Sequence, residues 1–232
     1  MKFFQNIGDL FYKTVIYDDR YKYILEGLFN TIIIAFFAVI IGVIIGTIVA
    51  LIRNNYDQNQ KFKLLNHLCK LYVDIIRGTP VILQLMIIYY VIFKSVNINI
   101  IIVSIIAFGI NSGAYVSEII RAGINSIPKG QSEASYSLGL KYAQIMQHIV
   151  LPQAIKNVLP ALGNEFITLL KETSVGAYIG VVELTKASDI IASRTYDYFF
   201  PLLIIAIIYL TMTIGLSKLI TKLERKLKNA RS

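Results

Sequence analysis

Apolar and polar positions along this chain alternate in blocks of tens of residues, not with the period of a strand. Ile32 to Ile52 is a run of 21 residues whose only hydroxyl is Thr47. As a helix rising about 1.5 Å per residue it reaches about 32 Å, against a hydrocarbon core of about 30 Å. Phe199 to Ser217 predicts a second span, and Ile98 to Ile119 a third that carries scattered polar residues. Val81 to Phe93 is too short alone; extended back towards Leu71 it predicts a fourth, with Asp74 and Arg77 near its start. Val158 to Val182 is harder to place because it contains Glu165, Lys171 and Glu172. A central charge costs about 2.5–3.5 kcal/mol to insert, whereas an apolar residue returns only about 0.3–0.6 kcal/mol. This segment spans only if its polar side faces protein or water. The pattern therefore predicts an all-α membrane protein with five transmembrane helices and its two ends on opposite sides.

The basic residues choose a direction. With the amino terminus outside, fifteen Lys and Arg fall in inner segments and seven in outer ones, which the positive-inside rule favours. Organisation follows: an outer or interfacial arm over 1–25, a membrane domain over 26–220 interrupted by a polar inner loop over 121–157, and a basic inner tail over 221–232. The arm lacks the apolar stretch and cleavage site of a secretory signal, so the first span is expected to target the chain. Phe3, Phe4, Ile7, Leu10 and Phe11 recur at helical spacing, which suits an arm on the membrane surface or one packed on the domain. The formal charge of +9 is explained by membrane orientation, with no stripe of basic and stacking residues for nucleic acid. Cys69 is the single cysteine, which excludes an intramolecular disulfide. His67 and His148 have no partners at metal-ligand spacing, so neither a metal nor a membrane enzyme is expected.

Asn164, Glu165, Thr168, Lys171 and Glu172 form one stripe on a helix, while Ile167 and Leu170 face elsewhere. A carboxylate embedded in a span is a functional candidate by default. Asn164 and Glu165 could contact an ammonium group, with Thr168 or backbone N–H groups serving a carboxylate; alternatively Glu165 pairs with Lys171 or Arg77. Ser104, Asn111, Tyr115 and Glu118 make a polar face on the third span, and Gln84 is a further candidate for the pathway. Ser112-Gly113-Ala114 and Gly42-x-x-x-Gly46 suit close helix packing. The charged outer segment from Gly176 to Tyr198, with Glu183, Lys186, Asp189, Arg194 and Asp197, could receive a soluble protein.

In the polar loop, Glu133-Ala134 is followed by Gly139, then after nine residues by Ile149, one residue, and Leu151-Pro152. Pro128 suits a first helical turn and Gly139 a left-handed exit, so the loop reads as two short helices around a break. Tyr136, Leu140, Ile145 and Ile149 would give it an apolar face for a groove on a partner. This pattern resembles the EAA loop of importer-type ABC permeases. Glu26-Gly27-Leu28 with Thr31, Arg77-Gly78-Thr79-Pro80 with Gln84, SGAYVSEIIRAGINSIPKGQ from Ser112, and LPALGNEFITLLKETSV from Leu159 narrow the resemblance to permease subunits of polar amino acid ABC importers, the His/Glu/Gln/Arg/Lys/Cys type. Ser135 departs from the usual Ala of the motif, and its small size should preserve docking.

The resemblance implies a type I ABC importer permease fold with cytoplasmic coupling helices, located in a bacterial cytoplasmic membrane. It assigns Glu133, Ala134, Ser135, Gly139, Leu140, Ile149, Leu151 and Pro152 to coupling with a separate ATPase subunit. That subunit would hold ATP and Mg, since no GxxxxGK[ST] loop exists in this chain and no cofactor of its own is expected. An extracytoplasmic amino acid-binding protein and a second permease chain, identical or related, complete the implied assembly. The alternative is an ion-gradient-driven secondary amino acid carrier. Such carriers usually show paired repeats, and five spans with one large inner loop do not divide that way.

Overall fold

The computed structural model describes residues 8–229, and all regular structure among them is helical. Phe3, Phe4 and Ile7 of the arm lie outside the described residues. Nine helices are numbered here in chain order. Helix α1 (Tyr21–Asn59) is followed by α2 (Lys63–Gly78), α3 (Val81–Ile87, prolonged by a wider turn over Ile88–Ile92) and α4 (Ile100–Asn125). Two short helices, α5 (Lys129–Ser137) and α6 (Tyr142–Ile145, with a wide turn over Met146–Val150), lead into α7 (Leu151–Glu172). A 3-10 stretch (Thr173–Ile179), α8 (Leu184–Thr195) and α9 (Phe199–Asn229) complete the chain.

Three of these helices, α1, α4 and α9, are long and apolar enough to cross a membrane. Each extends beyond its apolar run: α1 has 39 residues, about 58 Å, and so projects well past a core of about 30 Å. Helix α7, with 22 residues or about 33 Å, has the length but is too polar to qualify on composition. It ends at Glu172, short of the predicted Val182, where the chain tightens into the 3-10 stretch.

The fourth span predicted from Leu71 to Phe93 is broken: α2 and the Val81–Ile92 segment meet at 110°. Pro80 is the cause. It cannot donate a backbone hydrogen bond, and it pushes the preceding residue out of the helical region, so Thr79 is extended at φ −125°, ψ 149°. The Gln84 amide then satisfies carbonyls at the break, donating to Ile76 O at 2.7 Å and Thr79 O at 3.1 Å.

Helices α1 and α4 pack most intimately, through small residues on both. A Cβ on Gly42 would come within 2.6 Å of Ser112 Oγ, and one on Gly46 within 2.6 Å of Val116. Reciprocally, a Cβ on Gly109 of α4 would come within 2.7 Å of Ile41 of α1, and one on Gly113 within 2.8 Å of Ile45. Lipid tails are as apolar as these side chains, so the gain comes from close van der Waals contact. The small-residue sets thus serve packing. Ile34 and Ala38 of α1, Leu85 of α3, Phe108 of α4 and Leu169 of α7 share the largest buried cluster.

Candidate coupling elbow and translocation face

The polar loop folds into a compact elbow. Pro128 occupies the cap position one residue before α5, at φ −57°, ψ 128°. The helix ends in paired closing bonds, Leu140 N–H to Ser135 O at 3.1 Å and Gly139 N–H to Tyr136 O at 2.9 Å. This arrangement requires a left-handed residue at Gly139, whose φ is +79°. The Lys141 N–H donates to Gln144 Oε1 at 2.9 Å and starts α6. Leu151 and Pro152 open α7, which continues the wide turn over Met146–Val150 without leaving the helical region. Gln153 of α7 donates to Gln131 of α5 at 2.7 Å, and Asn54 of α1 donates to the Tyr142 hydroxyl at 2.9 Å. Displacement of the elbow would therefore be carried to α7 through α5 and to α1 through α6.

The elbow's outer face differs from the expected one. Ile145 is 1% exposed and packs inward with Ile124, Ile127 and Val150, while Leu140 and Ile149 are half-buried. Glu133, Ala134 and Tyr136 are exposed, and Leu138 is 82% exposed. Leu138 was missed by the helical spacing because it sits at the cap, where the chain leaves the helix. Its signal was an apolar residue immediately before a left-handed glycine. Ser135 is buried, its hydroxyl donating to Gln131 O at 2.6 Å, so the departure from Ala points away from the outer face.

On α7 the polar stripe is present. Asn164 and Lys171 are exposed, Glu165, Thr168 and Glu172 half-buried, and Ile167 and Leu170 buried. Glu165 accepts a hydrogen bond from the Ser112 hydroxyl at 2.8 Å. It pairs with neither Lys171 nor Arg77 among the described ion pairs. Asn111 and Gln84 come together, Asn111 donating to Gln84 Oε1 at 2.8 Å, but Asn111 is 3% exposed and does not reach the open face. This pair braces the α2–α3 break. Ser104 is also buried, donating to Ile100 O. Tyr115 is 37% exposed and lies beneath the Arg77 guanidinium, 5.5 Å from its ring centre.

One cluster was not visible in sequence. Glu118 of α4 gathers Arg53 from α1, Arg77 at the end of α2 at 3.8 Å and Arg121 from its own helix at 3.4 Å; Arg121 also meets Asp57 at 2.9 Å. The partners on α1 and α4 lie 64 and 65 positions apart, so no local spacing announces them. The charged segment from Gly176 to Tyr198 is likewise largely paired within the protein. Glu183 is fully buried, Lys186 pairs with Asp189, Arg194 with Asp18, and Asp197 accepts from the Phe199 N–H.

Comparison with known proteins accounts for this arrangement. The family model described as binding-protein-dependent transport system inner membrane component matches residues 42–229. A Rickettsia prowazekii protein named for a glutamine transport system permease is 39% identical over 213 residues, 91% of this chain and 95% of its own. The arginine transport system permease protein of Bacillus subtilis is 39% identical over 209 residues, 89% and 93% of the two chains. A crystal structure of an amino acid ABC transporter with histidines superposes with a TM-score of 0.82 at 44% identity, covering 88% of this chain and 94% of that one. An inward-facing methionine ABC transporter shares the fold at a TM-score of 0.72 and 19% identity, covering 90% and 99%. The elbow, the helical fold and these relatives together place the chain in the binding-protein-dependent transport system inner membrane component family, as a permease subunit of a polar amino acid ABC transporter.

Proposed function

We propose that this subunit builds an import pathway for a polar amino acid along the open face of α7, with Asn164, Glu165 and Thr168 as contacts. The supporting observation is that Glu165 is held by a neutral hydroxyl and, among the described residues, by no ion pair, leaving its charge available for a substrate ammonium group. The relatives' names point to glutamine and arginine as the first substrates to try. ATP hydrolysis belongs to a partner subunit, as throughout this family. The ATPase docks on the exposed side of the elbow, at Glu133, Ala134, Tyr136 and Leu138. A second permease chain closes the pathway, and an extracytoplasmic binding protein delivers substrate. The amino terminus lies outside and the elbow in the cytoplasm, as the distribution of basic residues favours. An ion-gradient-driven carrier has no support among the relatives.

The test is uptake of labelled glutamine and arginine by proteoliposomes containing this chain, its ATPase and the binding protein, with ATP on the ATPase side. ATP-dependent uptake of one of them is expected. Glu165→Gln should lower it about 10- to 100-fold, the worth of a charged hydrogen bond, while the complex still co-purifies. Leu138→Asp together with Gly139→Val should abolish uptake but leave ATP hydrolysis by the ATPase. Unchanged uptake kinetics in Glu165→Gln would remove that residue from the pathway. Uptake that follows an ion gradient without ATP would overturn the importer reading.

A further inference from the structure

Helix α2 divides its surface into three stripes. Cys69, Val73 and Ile76 pack towards α1 and α4. Leu64, Leu68, Leu71 and Ile75 form an exposed apolar stripe, and Lys63, His67, Lys70, Asp74 and Arg77 an exposed polar one. With about 3.6 residues per turn, the three are centred about 120° apart. A helix on a soluble core needs two faces, one apolar and one polar. Three faces suit a helix lying where protein, hydrocarbon and water meet along one axis.

The neighbouring helices fix where that axis lies. The buried stripe packs on Ile45, Val49 and Ile52 of α1, a helix apolar enough to cross the membrane. In the same stretch α1 turns Ile44, Ile48 and Leu51 outward, so the apolar stripe of α2 continues a lipid-facing surface. Helix α2 also gains no height. The Tyr72 hydroxyl donates to Ile110 O at 2.5 Å, whereas Arg77, further along α2, reaches Tyr115 and Glu118, nearer the elbow end of α4. The climb begins only after the 110° bend, where Gln84 meets Asn111 and Ile88 joins the cluster around Val103.

We propose that α2 is an in-plane membrane-surface helix on the elbow side, binding the lipid headgroup layer. Its apolar stripe enters the acyl chains, and Lys63 and Lys70 lie on headgroup phosphates. One protein partner could cover the apolar stripe only by also approaching the charged one, whereas the headgroup boundary takes both without burying a charge. Of this bent pair only the Val81–Ile92 segment then enters the membrane core, and its 12 residues, about 18 Å, cover part of a thickness of about 30 Å. The proposal rests on the membrane reading of α1.

The test uses the permease–ATPase complex in phosphatidylethanolamine–phosphatidylglycerol vesicles, with buried Cys69 replaced (Cys69→Ala). Single cysteines for spin labels replace Leu64, Leu68, Leu71 and Ile75 on one stripe and His67, Lys70 and Asp74 on the other, with Ile48→Cys on α1 as the lipid-facing control. Labels on the apolar stripe should collide with oxygen at a constant shallow depth, and those on the polar stripe with a water-soluble nickel complex. Steady deepening from Leu64 to Ile75 would make α2 half of an inserted span and overturn the proposal. Shielding of the apolar stripe from both reagents would place protein there, with the same consequence. An Ile48 label shielded from oxygen would instead overturn the lipid-facing assignment of α1, and the proposal with it.

Discussion

Glu183 has no exposed surface, yet its carboxylate accepts hydrogen bonds from the Thr185 and Lys186 N–H groups, each at 2.7 Å, and from the Tyr209 hydroxyl at 3.1 Å. It caps α8 and joins it to α9. Its own backbone rests on α1, where a Cβ on Gly27 would come within 2.9 Å of it. Asn30 donates to Val182 O at 2.7 Å, and the Thr31 hydroxyl accepts from the Leu184 N–H at 3.3 Å. Burial pushes the Glu183 carboxyl above its ordinary value, outweighing the hydrogen bonds that favour the anion. The folded state then holds this proton more tightly than the unfolded chain does. The resulting stability is fully present below the ordinary carboxylate value and is lost as pH rises through the raised one. Glu183→Gln cannot ionise, so the wild-type melting temperature in detergent should fall relative to the variant across that window; parallel profiles would refute the assignment. Glu183→Ala should cost about 1–3 kcal/mol at any pH, because buried donors lose their acceptor. In the sequence Glu183 was one charge in an outer loop. Its inward direction depends on α1 and α9, which are remote along the chain.

At the scale of elements, the α2–α3 break shows what composition hides. The apolar count over Leu71 to Phe93 suits a span, and Pro80 was plainly present, but a proline in a membrane helix can kink it or end it. Here the break persists because the Gln84 side chain serves the carbonyls of Ile76 and Thr79 while its own oxygen is held by Asn111. Gln84→Glu keeps the size but exchanges a donor for an acceptor. It should destabilise the protein by about 1–3 kcal/mol per carbonyl left unsatisfied, read as a lower unfolding midpoint in detergent. A variant as stable as the parent would show that the carbonyls find other partners. The elbow was more legible than the break. Pro128 and Gly139 are local signals with local consequences: Gly139 stands at the left-handed exit it predicts, and Pro128 one position before the first turn it is expected to open. Ile145 misled, because helical spacing identifies an apolar face without saying whether that face meets the body of the protein or a partner.

At the scale of the whole molecule, the basic residues make orientation a testable matter. Tyr196 is 95% exposed beyond α8 and Leu138 is 82% exposed on the elbow, so each can carry a reporter cysteine with little disturbance. Tyr196→Cys should react with a membrane-impermeant maleimide in right-side-out vesicles, and Leu138→Cys only in inverted ones. The reverse pattern would put the elbow outside, beyond reach of any cytoplasmic ATPase. The sequence by itself determined the helical class, three of the long spans, the need for α7 to face protein or water, and the break at Gly139. These depend on hydropathy and on the backbone chemistry of single residues, which act wherever the chain goes. Only the tertiary structure decided that Arg53, Arg77 and Arg121 converge on Glu118, that Ser112 holds Glu165, and that Gln84 and Asn111 lock a bend. The physical reason is that these bonds join residues from different helices, and their geometry is set once close packing of α1 and α4 fixes where each helix lies.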